Sequence, residues 1–203
     1  MKDATGLPAP YGGHVWVFHS ALTDLDYTLT VHDTQNGRVE TYPGESGGSV
    51  SSSLTCGEAD TSAFPRDCAG EVPSASLPGS RLAAASGAEL SLLNSRFRAT
   101  LRATDPRTGR IAKGAAIPRA EGFGYFSLPG FTGDSSFPEV FVKMVDATAL
   151  PGGYFWVFHT GLTDLEYTLT LTDAVTGVVR TYTGGATNGT LLCGKADTTA
   201  FRN

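Results

Sequence analysis

Two histidines at matching places in the chain are the first candidates for chemistry. His19 and His159 each end a run of the sequence Trp-Val-Phe-His. An imidazole titrates near neutral pH, so it can serve as a general acid or base or as a metal ligand. The sequence does not name partners that would complete a catalytic triad with either ring. We therefore favour a structural role, with each ring hydrogen-bonded to backbone at one end of a sheet.

Carboxylates recur in pairs just before two strand-like patterns that begin with tyrosine. Asp24 stands with Asp26, and Asp164 stands with Glu166. Such pairs can do acid–base chemistry or bind calcium through oxygen ligands. No EF-hand pattern of the D-x-D-x-D-G kind is present, and Asp24 and Asp164 suit a chain corner with Asx-type hydrogen bonds. The sequence therefore predicts no metal, no cofactor and no catalytic residue, and it predicts that the protein is not an enzyme.

The cysteines favour a disulfide over a zinc site. Cys56 and Cys68 lie 12 positions apart, and a disulfide between them would contribute about 3 kcal/mol to stability. Such a bond is typical of an oxidising compartment outside the cytoplasm. The third cysteine, Cys193, is left over. Zinc is disfavoured because no C-x-x-C pair is present, and three reduced thiols remain the alternative.

Three aromatic residues are candidates for stacking against a sugar ring. Trp16 and Trp156 lie within apolar strand-like runs, which favours core positions for both indoles. Tyr125 lies beside Gly122 and Gly124 in a glycine-rich stretch and is the freer candidate.

The elements that must position these residues occur twice. Three pairs of segments match, namely 1–8 with 144–151, 13–44 with 153–184, and 56–64 with 193–201. The middle pair aligns without a gap, and 19 of its 32 positions are identical. An apolar-patterned stretch at 90–145 precedes the second copy and has no counterpart before the first. The chain therefore contains two copies of a rear half-unit and one copy of a front half-unit.

Alternation with a period of two dominates the sequence and predicts strands. Tyr167, Leu169 and Leu171 share one face, and the threonines between them share the other. Threonine on a solvated face suits a strand and weakens a helix. Seven strands are predicted in the complete unit, at about 92–105, 110–117, 122–128, 138–147, 154–162, 165–173 and 178–183. Short strands at this spacing favour a β-sandwich, and residues 82–93 allow a short helix.

The stretches DLDYTLTVHD and DLEYTLTLTD resemble the late strand of immunoglobulin-like and PKD-like modules of bacterial surface proteins. The longer pattern that includes RFRATLRATD is similar to uncharacterised repeats of secreted bacterial proteins. The resemblance implies an all-β, immunoglobulin-like sandwich in which Tyr27 and Tyr167 are corner residues, each hydroxyl bonding back to the preceding corner. It implies no activity, and the Cys-Trp-Cys core of immunoglobulins is absent.

The repeat divides the chain into three parts. These are a partial β-sandwich repeat at 1–64, a Pro/Gly-rich linker at 65–91 and a complete seven-stranded unit at 92–203. The net charge of −5 and the pI near 5.3 argue against a nucleic-acid partner. No apolar run approaches the roughly 20 residues that span a membrane.

The functional prediction depends on the surplus half-unit, residues 1–64. Four strands with one apolar face cannot bury that face alone, and their open edges template pairing with another chain. We expect a homo-oligomer or tandem repeats joined through residues 1–64, or packing of those residues on the linker and the complete unit. The predicted protein is a secreted or cell-surface module with a structural, self-assembling (filament or surface layer) or adhesive role. A carbohydrate-binding accessory module of a secreted hydrolase, with a glycan as partner, is the alternative.

Overall fold

The computed structural model describes residues 1–6, 8, 12–23, 25–44, 53–56, 58–65, 87–185 and 193–202. These residues form an all-β structure of several antiparallel sheets, which confirms the all-β prediction. We call residues 1–65 the N-terminal part and residues 87–202 the C-terminal part. Among the described residues, no helix is long and apolar enough to cross a membrane.

The strands of the N-terminal part are short. They are β1 (Lys2–Asp3), β2 (His14–His19), β3 (Tyr27–His32), β4 (Val39–Gly44), β5 (Ser53–Cys56) and β6 (Glu58–Pro65). Strands β1, β2 and β6 form a three-stranded sheet, while β3 and β4 form a hairpin. Strand β5 joins a sheet of the C-terminal part instead.

The C-terminal part is larger and contains one helical turn. Its elements are β7 (Glu89–Leu92), β8 (Phe97–Thr104), β9 (Ile111–Lys113), β10 (Ala115–Ala120), β11 (Phe123–Ser127), α1 (Pro129–Thr132), β12 (Val140–Ala147), β13 (Tyr154–Gly161), β14 (Glu166–Asp173), β15 (Val179–Gly184) and β16 (Cys193–Arg202). One sheet has the order β10-β11-β12-β13-β16-β5, and the other has the order β15-β14-β8-β7 with β9 paired to β8.

Residues that match in the sequence pair in the same way in the two parts. Val15 lies opposite Phe64 and Phe155 lies opposite Phe201, and both pairings are followed by the same register shift. The hairpin of β3 and β4 likewise has the register of β14 and β15, so that Leu29 faces Tyr42 as Leu169 faces Tyr182. The two parts differ in what surrounds these shared strands.

One large core lies between the two sheets of the C-terminal part. The ring of Phe97 from β8 packs 4.9 Å from Phe155 and 5.0 Å from Phe201, centroid to centroid. The side chains that enclose this core come from alternate residues along the strands of both sheets, as the period-two pattern predicts. The N-terminal part has a separate small cluster of buried residues, formed by Val17, Tyr42, Ala63 and Phe64.

The structure refines the predicted strands. Strands β12 to β15 lie within two residues of their predicted bounds. The strand predicted at 92–105 corresponds to β8, which begins only at Phe97, because Leu93, Asn94 and Ser95 take left-handed φ values of 49° to 63° and turn the chain after β7. Strand β7 lies where the sequence predicts the end of the Pro/Gly-rich linker (65–91) and allows a short helix (82–93). Strand β16 was not among the predicted strands, although its sequence repeats that of β6.

Candidate functional site

The open edge of β3 is the candidate functional site. Strand β14 lies between β15 and β8 in its sheet, whereas β3 pairs with β4 alone among the described strands. Its inward residues Tyr27, Leu29 and Val31 are half-buried. Their matches in the C-terminal part are 3%, 0% and 0% exposed. The N-terminal part therefore presents an apolar strand face and an unpaired backbone edge within the described structure.

The residues that cover this position in the C-terminal part come from β8 and the turn before it. The Arg96 guanidinium donates hydrogen bonds to the Asp173 carboxylate at 3.1 and 3.3 Å and lies 4.3 Å above the Phe155 ring. Burial of Asp173 raises the pKa of its carboxyl, but hydrogen bonds from Arg96 and from the Val175 N–H outweigh burial and hold it below the usual value. A cation and a phenyl ring thus close this end of the core.

The matching position in the N-terminal part is a cavity of about 170 Å³, which we call the N-terminal groove. Val15, Val31 and Phe64 provide its apolar walls, and Asp33 lies at the position of Asp173. Met1, which is 68% exposed, also lines it, together with the polar residues His32, Thr34 and Gln35.

The predicted histidines lie in two matching clusters behind these strands. The Nδ1 of His159 lies 2.9 Å from the Tyr167 hydroxyl, and that of His19 lies 3.1 Å from the Tyr27 hydroxyl. The partner of each ring is therefore a tyrosine hydroxyl rather than the backbone that the sequence favoured. Each corner tyrosine correspondingly contacts histidine, which the sequence did not reveal because the two residues belong to facing sheets.

The second tyrosine in each cluster connects the histidine to a carboxylate. The Tyr182 ring lies 5.2 Å from the His159 ring, and its hydroxyl donates to Asp197 at 2.9 Å. Tyr42 repeats this contact with His19 and donates to Asp60 at 3.1 Å. Both tyrosine hydroxyls have raised pKa values, first because they are desolvated and then because they bond to carboxylates. These networks, which are partly buried, connect strands of different sheets in each part.

The two clusters differ in the charge beside the imidazole. Burial, assisted by nearby Lys195, lowers the pKa of His159 to about 4. In the N-terminal part Glu58 takes the register position of Lys195, and its carboxylate lies 3.4 Å from the Nε2 of His19. His159 is therefore a neutral, packed side chain at neutral pH.

A second cavity lies between the two parts and has a volume of about 640 Å³. Trp16 and Phe18 form one wall, and Phe131 and Phe137 lie on the other; the Phe18 and Phe137 rings meet edge to face at 6.3 Å. Charged residues line its rim. The guanidinium of Arg107 lies 3.2 Å from Asp105 and 3.0 Å from Asp164. We call this cavity the interpart cleft.

The other aromatic candidates lie elsewhere. Trp156 is half-buried on the outer face of β13, 6.4 Å from the Phe158 ring. Trp16 is also half-buried, so neither indole takes the fully buried position that the sequence favoured. Tyr125 is 2% exposed, and its hydroxyl donates to the Ser136 carbonyl and accepts from Arg119, both at 3.0 Å. Its ring is packed rather than displayed.

The acidic pairs do not converge in the described structure. Asp26, Asp164 and Glu166 are exposed, while Asp24 lies outside the described residues. Within the described ranges, no group of three His, Cys, Asp or Glu residues could hold a metal ion.

The predicted Cys56–Cys68 disulfide remains a prediction because Cys68 lies outside the described residues. In backbone register Cys56 lies opposite Cys193, where β5 pairs with β16. This pairing attaches the N-terminal part to the six-stranded sheet. The hydroxyl oxygens of Ser20 and Thr160 add a contact of 2.9 Å between the parts.

The sequence contains one nucleophile-type pattern, G-x-S-x-G, at residues 44–48. It begins at the end of β4, and residues 45–48 lie outside the described structure. The match of this segment after β15 has no serine at the corresponding place. A pattern this short identifies a catalytic serine only when it lies in a strand–turn–helix with the other two residues of a triad nearby.

The chain matches no known family model, no curated protein and no solved structure. The open edge of β3, the N-terminal groove and the interpart cleft are therefore the features of the molecule that bear on its function.

Proposed function

We propose that this chain is a non-enzymatic, extracellular β-sandwich repeat module with a structural, self-assembling or adhesive role. In this proposal residues 1–64 are a partial immunoglobulin-like unit that associates with other polypeptides, and residues 92–203 are a complete unit. The observation that carries the proposal is the half-buried edge of β3, which pairs with β4 alone among the described strands, whereas the equivalent strand β14 pairs on both sides.

Two physical effects favour association at this edge. An unpaired strand edge exposes a row of backbone N–H and C=O groups, which pair readily with another strand. Half-buried Leu29 and Val31 add apolar area that association would remove from water, worth about 25 cal/mol per Å². A filament, a surface layer or an adhesive contact would each use such an edge.

Sedimentation velocity of the chain at increasing concentration tests the proposal. We expect reversible association in the micromolar range. A Val31→Lys variant places a charge on the inward face and should abolish it, as inward charges do at natural sheet edges. Thr30→Lys adds the same charge to the exposed face of the same strand and should leave association intact. A stable monomer across the whole concentration range would overturn the proposal.

The interpart cleft favours one second candidate, a carbohydrate-binding accessory module. Ligand sites often lie between structural units and combine aromatic walls with a few charged groups, and the cleft has both. Glycan-array binding that Trp16→Ala removes and Trp156→Ala leaves intact would support this candidate, because only Trp16 lines the cleft. An array without binding would remove it.

A further inference from the structure

The sheet that contains β14 presents polar side chains in regular rows on its outer face. Alternate residues of β8 and β14 point inward and are buried, so the residues between them form this outer face. The backbone register aligns the outward residues of neighbouring strands, which lie about 4.8 Å apart. We call this surface the threonine–arginine face. One row consists of Thr183, Thr168, Arg102 and Lys113, and the next consists of Thr181, Thr170, Thr100 and Glu89.

Two cations lie directly opposite each other on this face. Arg102 of β8 faces Lys113 of β9 in the backbone register, and both side chains are exposed. Like charges at directly opposed positions of an antiparallel pair repel each other and destabilise the sheet. Among the described residues, no carboxylate forms an ion pair with either cation. An anionic ligand that contacts both side chains would remove this repulsion.

The other charges on the face differ from this pair. The Nε of Arg98 lies 3.7 Å from the Glu89 carboxylate, so this cation already has a counter-charge. Glu166 lies opposite Thr104, in the row beyond Arg102, and is exposed. Within the described face, positive charge without a counter-charge is thus concentrated at one place, although the whole chain has a net charge of −5.

The surroundings of the cationic pair indicate the class of anion. Thr168 lies opposite Arg102, and its hydroxyl can exchange hydrogen bonds with the hydroxyls of a sugar. The described residues of the face include no aromatic ring, which is the stacking surface that single-stranded nucleic acids use. Its aliphatic side chains among these residues are Ile111 and Val179, which are too few to insert into a lipid surface. The face therefore suits a hydroxyl-rich polymer that carries negative charges.

We propose that the threonine–arginine face binds an acidic polysaccharide. Arg102 and Lys113 hold one anionic group of the polymer between them, and the threonine rows contact its sugar hydroxyls. This inference rests on the adhesive role in the proposed function and names the ligand of an adhesive surface. The face belongs to the C-terminal part and does not include β3, so polysaccharide binding and self-association use different surfaces.

Calorimetric titration of the full chain with polygalacturonate, a polymer of a uronic acid, tests the assignment. We expect binding at low ionic strength that weakens as salt is added, since exposed charges are screened beyond about 10 Å at 0.1 M salt. Dextran sulfate should also bind, because the pair recognises the negative charge, and uncharged dextran should not. Poly-glutamate is a further probe, and binding as tight as that of polygalacturonate would overturn the choice of a polysaccharide.

A charge reversal at Lys113 separates ligand binding from a purely structural role. Lys113→Glu places opposite charges face to face, so the variant should unfold at a higher urea concentration than the original chain. It should bind polygalacturonate about tenfold more weakly, because one attraction is lost and one repulsion is added. Arg202→Glu makes the same change in net charge on another sheet and should leave binding unchanged. Equal weakening in both variants would overturn the site.

Two substitutions that each remove one charge should have opposite effects. Arg102→Gln should weaken polygalacturonate binding about fivefold, since one of the two cations is lost. Glu166→Gln should strengthen binding about twofold, because a carboxylate near the pair no longer repels the polymer. Both side chains are exposed, so neither variant removes a core contact. Binding that neither substitution changes would overturn the inference.

The outcomes separate this inference from the proposed function and from the interpart cleft. Val31→Lys should abolish self-association and leave polygalacturonate binding intact. Trp16→Ala should also leave it intact, and a loss of binding in this variant would place the polymer in the interpart cleft and overturn the inference. A chain that self-associates without binding the polymer overturns this inference alone. A monomeric chain that binds it supports this inference and overturns the self-assembling role.

Discussion

Strands β3 and β14 share the alternating sequence Tyr-Thr-Leu-Thr, yet their inward faces differ in burial. Leu169 and Leu171 are 0% exposed, whereas Leu29 and Val31 are half-buried. The hairpin partner has the same register in both parts, so local pairing does not explain the difference. Among the described strands, β14 has β8 as a second neighbour and β3 has none. Burial of a strand face is thus a property of its surroundings rather than of its own sequence.

The largest test of this comparison removes the same aromatic ring from each part. Phe201→Ala should destabilise the C-terminal part by about 3–5 kcal/mol, because it leaves a cavity against Phe97 inside a closed core. Phe64→Ala should cost clearly less, since its ring already borders the N-terminal groove. Urea denaturation followed by circular dichroism measures both changes. Equal losses would show that the groove has no energetic consequence.

Acid should distinguish the two histidine clusters. The pKa of His159 is about 4 in the folded state against 6.5 when unfolded, so the unfolded state binds the extra proton first. Stability of the C-terminal part is therefore complete above pH 6.5 and declines by about 3 kcal/mol as the pH falls to 4. Denaturation at a series of pH values checks this. His159→Gln should remove most of the slope, and an unchanged slope would assign it to other groups.

A smaller effect is expected from the ion pair that closes the core of the C-terminal part. Asp173→Asn leaves the side chain in place but removes the charge that holds Arg96, which should cost about 2 kcal/mol. A double-mutant cycle with Arg96→Gln measures the interaction between the two residues. Additive losses would mean that Arg96 acts only by packing on Phe155.

The smallest effect concerns the charge beside each imidazole. Lys195→Glu gives the C-terminal cluster the charge found at Glu58 in the N-terminal part, so the pKa of His159 should rise. Because Lys195 is exposed, the gain in stability at acid pH should stay below about 1 kcal/mol. NMR titration of the His159 ring reads the pKa directly. A pKa that does not move would show that burial alone sets it.

Local patterning predicted much of the fold. The period-two alternation placed β12 to β15 almost to the residue, because side chains of a strand alternate between faces whatever lies beyond them. The alternation did not predict the turn between β7 and β8, because Leu93, Asn94 and Ser95 adopt left-handed backbone without a glycine that would indicate it. It also missed β16, although the repeat itself contained the signal.

The candidate site was predicted in outline and not in detail. The surplus half-unit indicated an unsatisfied apolar face on residues 1–64. The groove beside Val15 and Phe64 depends on contacts between residues nearly fifty positions apart. The alternation of residues along one strand does not predict such contacts. The same applies to the interpart cleft and to the tyrosine partners of His19 and His159.

By itself the sequence determined which residues share a face, where a pattern recurs and which classes of partner its charge disfavours, because these depend only on order along the chain. The tertiary structure alone decided which of two near-identical strands is covered, which ring fills which gap and how β5 joins the larger sheet. The physical reason is that burial and hydrogen bonding across sheets require a second surface, and that surface is formed by segments far away in the sequence.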